Sequence, residues 1–121
     1  MGYDRSHAIV VTSWSDDRIA IAHQHAQELC GQDLVSPLVE RRVNGGASFL
    51  IAPDGSKEGW EDSDVGDQQR ESLIRWLDRQ RHVDGSTPYD WIYVQFGDDE
   101  RQNLIVRASD DDQASATGEL P

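Results

Sequence analysis

The sequence predicts an α+β domain with element order βαββαββ: a ferredoxin-like split βαβ sheet with two helices on one face and an extra C-terminal hairpin strand. Three observations predict it. The chain has 121 residues, which suits one domain. Two longer segments place their apolar residues at helical spacing. Between them lie short β-branched and aromatic runs, arranged as one strand, then two strand pairs.

His7–Thr12 holds Ala8, Ile9, Val10 and Val11 in an unbroken apolar run, the pattern of a buried strand. Ser13 and Ser15 offer N-cap oxygens, and Asp16 and Asp17 suit the positive end of a helix dipole. Ile19, Ala22, Ala26, Leu29 and Cys30 then recur at helical spacing up to Gly31, so a helix is expected over Asp16–Cys30. Residues Val35–Val43 and Ala47–Ala52 flank Asn44-Gly45-Gly46. That hairpin signal rests on the tolerance of Asn and Gly for positive φ. Pro37 marks the first of these strands as an edge or an irregular start.

Pro53-Asp54-Gly55 forms a turn and opens a polar loop over residues 54–66. A second helix is expected over Asp67–Arg81, capped by Asp64 or Asp67. Leu73, Ile74 and Leu77 form its buried stripe, with Trp76 at the margin. Tyr89–Phe96 and Asn103–Arg107 read as the last two strands, joined at Gly97-Asp98-Asp99-Glu100. Residues 1–108 make up the expected domain, and residues 109–121 read as a disordered acidic tail.

The charge narrows the function classes. Eleven Lys and Arg against 23 Asp and Glu leave a net charge of −12. Phosphate backbones bind through cations, so direct nucleic-acid binding and anionic membrane surfaces are disfavoured. A protein partner with a basic surface is favoured instead. No stretch has the length and apolarity of a membrane span, and the polar start lacks a signal-peptide layout. The single cysteine, Cys30, allows no disulfide within the chain. A reducing cytoplasm is therefore the expected compartment.

No constellation stands out as catalytic. His23 and His25 are two apart on the first helix and face different ways. They, His7 and His82 read as surface histidines, Cys30 as a small buried hydrophobe, and no metal site or cofactor is expected. There is no G-x-S-x-G elbow and no phosphate loop. Asp54, Ser56, Glu58, Gly59 and Asp62 match part of an EF-hand count, but Val65 falls where the bidentate Glu is required. Arg41, Arg42, Arg75, Arg79 and Arg81 read as surface ion-pairing groups, with Glu71–Arg75 an i,i+4 pair.

Trp60 is the informative residue. It stands among Glu58, Glu61, Asp62 and Asp64, so it either folds back over the core or is exposed as a contact residue. With Asp98, Asp99 and Glu100 these residues form the expected partner-binding surface. The reading is a non-enzymatic acidic interaction module of the kind found among small phage or mobile-element accessory proteins. Its sharpest form is an inhibitor that mimics nucleic-acid charge. The alternative is an enzyme or small-ligand domain with a site around the 54–67 loop. The aromatic Tyr89–Phe96 strand leaves room for a dimer.

Overall fold

The computed structural model describes residues 5–57, 59–97 and 103–110. Their element order is β1 (Ser6–Ser13), α1 (Asp16–Cys30), β2 (Val39–Glu40), β3 (Ala47–Ile51), α2 (Glu61–Arg79), β4 (Asp90–Phe96) and β5 (Leu104–Ala108). The strands form one antiparallel sheet in the order β2-β3-β1-β4-β5. The expected α+β class with two helices and an open sheet is present. The strand order β2-β3-β1-β4-β5 does not match the ferredoxin-like order exactly, and β5 extends the sheet beyond β4 as the expected hairpin strand does. Helix α1 links β1 to β2 with β3 lying between them, and α2 links β3 to β4 with β1 lying between them.

The core lies between one sheet face and the helices. In β1, Ile9 is registered between Ile51 and Tyr93, and Val11 between Phe49 and Trp91; all six are buried. Ile19, Ala22, Ala26 and Cys30 of α1 and Leu73, Ile74 and Leu77 of α2 close over them. Small alanines on α1 let the backbones approach, and each large aliphatic side chain contributes about 1.5–3 kcal/mol of burial. Period-2 alternation leaves the other sheet face open. Val10, part of the run read as a buried strand, is 40% exposed.

Helix α1 keeps its expected bounds. Ser15 caps it by accepting from the Arg18 amide, and Gly31 ends it at φ 91°. The Asn44–Gly46 turn also forms, all three residues having positive φ. The strand before it is much shorter than Val35–Val43. It shrinks to Val39–Glu40 plus an isolated bridge between Val35 and Ile51. Pro37 has no amide hydrogen to give, and Ser36 bonds Leu50 through both its backbone and its hydroxyl. Helix α2 begins at Glu61, six residues before the expected start, and ends at Arg79.

Beyond β5, Ser109 donates its amide to the Trp91 carbonyl, and its own carbonyl accepts from Arg81. No helix among the described residues is long and apolar enough to cross a membrane.

Candidate functional site

The early start of α2 creates the surface that Trp60 occupies. Trp60 is the N-cap residue, in extended backbone, and its carbonyl accepts from the Ser63 and Asp64 amides. An indole cannot accept a hydrogen bond as a Ser or Asp cap does, so the first-turn amides receive no side-chain cap. Trp60 is 47% exposed and so does not fold back over the core. The Lys57 ammonium stands 6.0 Å from its ring centroid. Glu61, Asp62 and Asp64 are exposed in the same first turn, where the helix dipole favours negative charge. The structure therefore brings Trp60, Glu61, Asp62 and Asp64 together. Glu58, Asp98, Asp99 and Glu100 lie outside the described residues, as do residues 111–121.

Behind this surface lies a buried polar cluster. Arg70, only 3% exposed, donates Nε to the Tyr93 hydroxyl at 3.2 Å and an Nη to Asp67 at 2.6 Å. Its other Nη lies 3.7 Å from Asp54. On the far side of Tyr93, His7 Nδ1 is 3.3 Å from the same hydroxyl. A Cβ on Gly66 would come within 2.4 Å of the Asp54 carboxylate, so a larger residue there would make the Asp54 side chain shift away from Arg70. Arg5 donates to the Gly97 carbonyl, tying the start of β1 to the end of β4.

The titrations follow from these contacts. Burial works against the Arg70 charge, but hydrogen bonds to Tyr93 and Asp67 outweigh it and raise the guanidinium pKa. Burial pushes the Tyr93 hydroxyl up, with Arg70 partly opposing. Partial burial would raise the Asp54 carboxyl, yet hydrogen bonds from Ser56 and the Arg70 charge hold it below the usual range. Burial pushes the Cys30 thiol up to about 11; it points at the Gln69 carbonyl, 3.8 Å away. Chemically, the cluster is a clamp: every Arg70 nitrogen faces an acceptor, and the guanidinium fixes α2 against β4 and the 54 loop. A shallow recess of about 380 Å3, lined by Arg5, Ser6, Pro53, Asp54, Gly55 and Ser56, opens beside it.

Several readings are corrected here. His7 is buried, because β1 turns its odd-numbered residues toward the helices. His23 bonds the Ser36 carbonyl at 2.8 Å, and His25 stacks on Trp76 at 4.2 Å, so the two do face different ways. Glu71 pairs with Arg107 of β5 at 3.3 Å, and Arg75 donates to Ser72. The expected Glu71–Arg75 pair gives way to these partners. Cys30 is buried as expected. Asp54 spends its oxygens on Ser56 and Arg70, and Asp62 belongs to α2, so the EF-hand count has no loop to describe. No group of three or more His, Cys, Asp or Glu among the described residues is placed to hold a metal ion.

The Arg70 clamp was missed because its stripe is not apolar. Ser63, Gly66 and Arg70 are buried and continue the Leu73, Ile74, Leu77 stripe backwards at steps of three and four. Helical spacing of small and long polar residues, extended upstream from a clear apolar stripe, was the available signal. No family model matches this chain, and neither a curated protein nor a solved structure matches it.

Proposed function

We propose that this chain is a non-enzymatic acidic interaction module, with a basic protein surface docking at the start of α2. The observation that carries the reading is the half-exposed Trp60 at a helix cap, ringed by exposed Glu61, Asp62 and Asp64. An aromatic anchor with a charged rim is the arrangement of an interface hot spot. Rim charges steer association and make it dependent on salt. The Arg70 clamp behind the turn holds this surface in place before binding, which lowers the ordering cost. In its sharpest form the module is an inhibitor: a net charge of −12 competes with nucleic acid for a nucleic-acid-binding protein. Ferredoxin-like element order belongs to the same proposal and adds nothing specific to function.

The test is capture from a host lysate by the full chain and by the Glu61→Gln/Asp62→Asn/Asp64→Asn variant. The expected result is a nucleic-acid-binding protein that is released by salt, displaced by DNA or RNA, and held more weakly by the variant. Equal capture by both proteins removes the α2 surface from the proposal. One observation favours a second reading, a small-ligand domain at the 54–67 loop: the recess beside Arg5 and Asp54. A rise in melting temperature with a metabolite panel, abolished by Asp54→Asn, would establish that reading instead.

A further inference from the structure

Among the described residues, none covers the sheet face away from the helices. Its centre is Val10, registered between Leu50 on β3 and Ile92 on β4. Val94, Phe96 and Ile105 extend the apolar surface toward β5; Val10, Leu50, Phe96 and Ile105 are exposed at 40, 41, 39 and 59%. We infer that a second copy of this chain covers this face, giving a symmetric dimer packed sheet to sheet.

Two arguments select a second copy. The first is charge. A chain with a net charge of −12 keeps this surface almost uncharged: the strand positions that form it hold no Lys, Arg or Glu. Their one carboxylate, Asp90, sits at the end where β4 begins, with Asp110 beside it. A basic partner would find nothing to pair with here, and an anionic lipid surface would be repelled by the chain as a whole. Two copies placed face to face, by contrast, bury apolar side chains against each other while both sets of carboxylates point outward. The second argument is area. Four strands of about 16–26 Å and the two-residue β2 of about 7 Å, spaced about 4.8 Å apart, give a face of roughly 430 Å2 before side-chain relief is counted. Two such faces amount to roughly 860 Å2 in projection, and side-chain relief brings the buried area to about the 1,000 Å2 that a specific interface has to clear. Large exposed apolar patches on single chains are uncommon, and a two-fold contact between identical faces is the commonest way to bury one.

The inference does not rest on the proposed function, and salt separates the two. Capture of a basic partner weakens as salt rises. Self-association of two acidic chains strengthens, because screening shortens their repulsion to about 8 Å at physiological ionic strength.

The test is sedimentation velocity on the full chain from about 1 to about 300 µM, at roughly 0.05 and 0.5 M salt. The expected result is a dimer that tightens at the higher salt. Val10→Lys and Ile105→Lys should each raise the dissociation constant at least about tenfold while circular dichroism stays native. Lysine lowers the net negative charge, so the loss would not come from repulsion. Trp60→Ala should leave the dimer unchanged. A monomer at every concentration overturns the inference. So does a dimer sensitive to Ile105→Lys but not to a folded Val10→Lys, which would show pairing along the β5 edge instead.

Discussion

The two helices begin in opposite ways. Helix α1 starts at Ser15, whose hydroxyl accepts from the Arg18 amide, followed at once by Asp16 and Asp17. Its cap is written in three adjacent residues, to which distant contacts add: Asp16 also accepts from the Gly46 amide, and the Arg18 carbonyl accepts from the Tyr89 hydroxyl. Helix α2 starts at Trp60, which caps nothing with its side chain. Its first three turns carry Ser63, Gly66 and Arg70 inward, and Arg70 is held by Asp54, Asp67 and Tyr93. The α1 start has a local side-chain cap as well as distant contacts. The α2 start has no side-chain cap and relies on the Arg70 contacts further along, which leaves its N-cap position free to carry a large aromatic residue facing outward.

The largest expected break in this comparison is Arg70→Met. It removes the guanidinium from Tyr93, Asp54 and Asp67 at once, leaving Tyr93 to His7, Asp54 to Ser56 and Asp67 to water, and should lower the unfolding free energy by about 3 kcal/mol. Hydrogen exchange should show the first turns of α2 opening while α1 stays protected. A loss below about 1 kcal/mol, or equal opening of both helices, would show that the clamp does not hold α2.

Next in size is the alkaline limit. The Cys30 thiol, at the end of α1 and against Gln69 of α2, rises from 9.0 to about 11 in the folded chain. Its folded pKa lies above its unfolded value. The stabilisation is therefore complete below pH 9 and is lost as pH climbs from 9 to about 11. The Tyr93 hydroxyl is shifted in the same direction. Denaturant titrations across this window should show a fall of about 2 kcal/mol in the native chain, and a clearly smaller one in Cys30→Ala. Identical slopes for the two proteins would rule out the thiol as a source.

The smallest effects compare the caps themselves. Ser15→Ala should cost about 1 kcal/mol. Trp60→Asn adds a cap of similar worth but uncovers what the indole shields, so stability should change by less than about 1 kcal/mol. The same change should sharply weaken capture of a basic partner. A large loss of stability in Trp60→Asn would show that the ring belongs to the fold.

Legibility in the sequence follows the range of the interactions. The α1 helix, the Asn44–Gly46 hairpin turn and the β4–β5 pair were readable because caps, positive-φ turns and apolar periods act within a few residues. The α2 start was misplaced because Asp64 and Asp67 are good caps by type, whereas Arg70, Asp54 and Gly66 settle the matter across the fold. His7 looked like a surface histidine for the same reason. Its chain neighbours Ser6 and Ala8 decide nothing; the parity of β1, which sets His7 on the side of Ile9 and Val11, decides which face it takes. Of the expected contact surface, the cluster Trp60–Asp64 could be found by composition, but the exposure of Trp60 could not.

By itself the sequence determined the α+β class, the bounds of α1, the apolar stripes that build the core and the net charge of −12. These depend on local backbone preference, side-chain period and summed charge, all of which are additive along the chain. Only the tertiary structure decided that Arg70 and His7 are buried, that Trp60 faces outward, and that Val10, Leu50 and Ile92 line up on a face that none of the described residues covers. Those outcomes turn on strand register and on which side of the sheet the helices take, and residues distant in the chain settle both together.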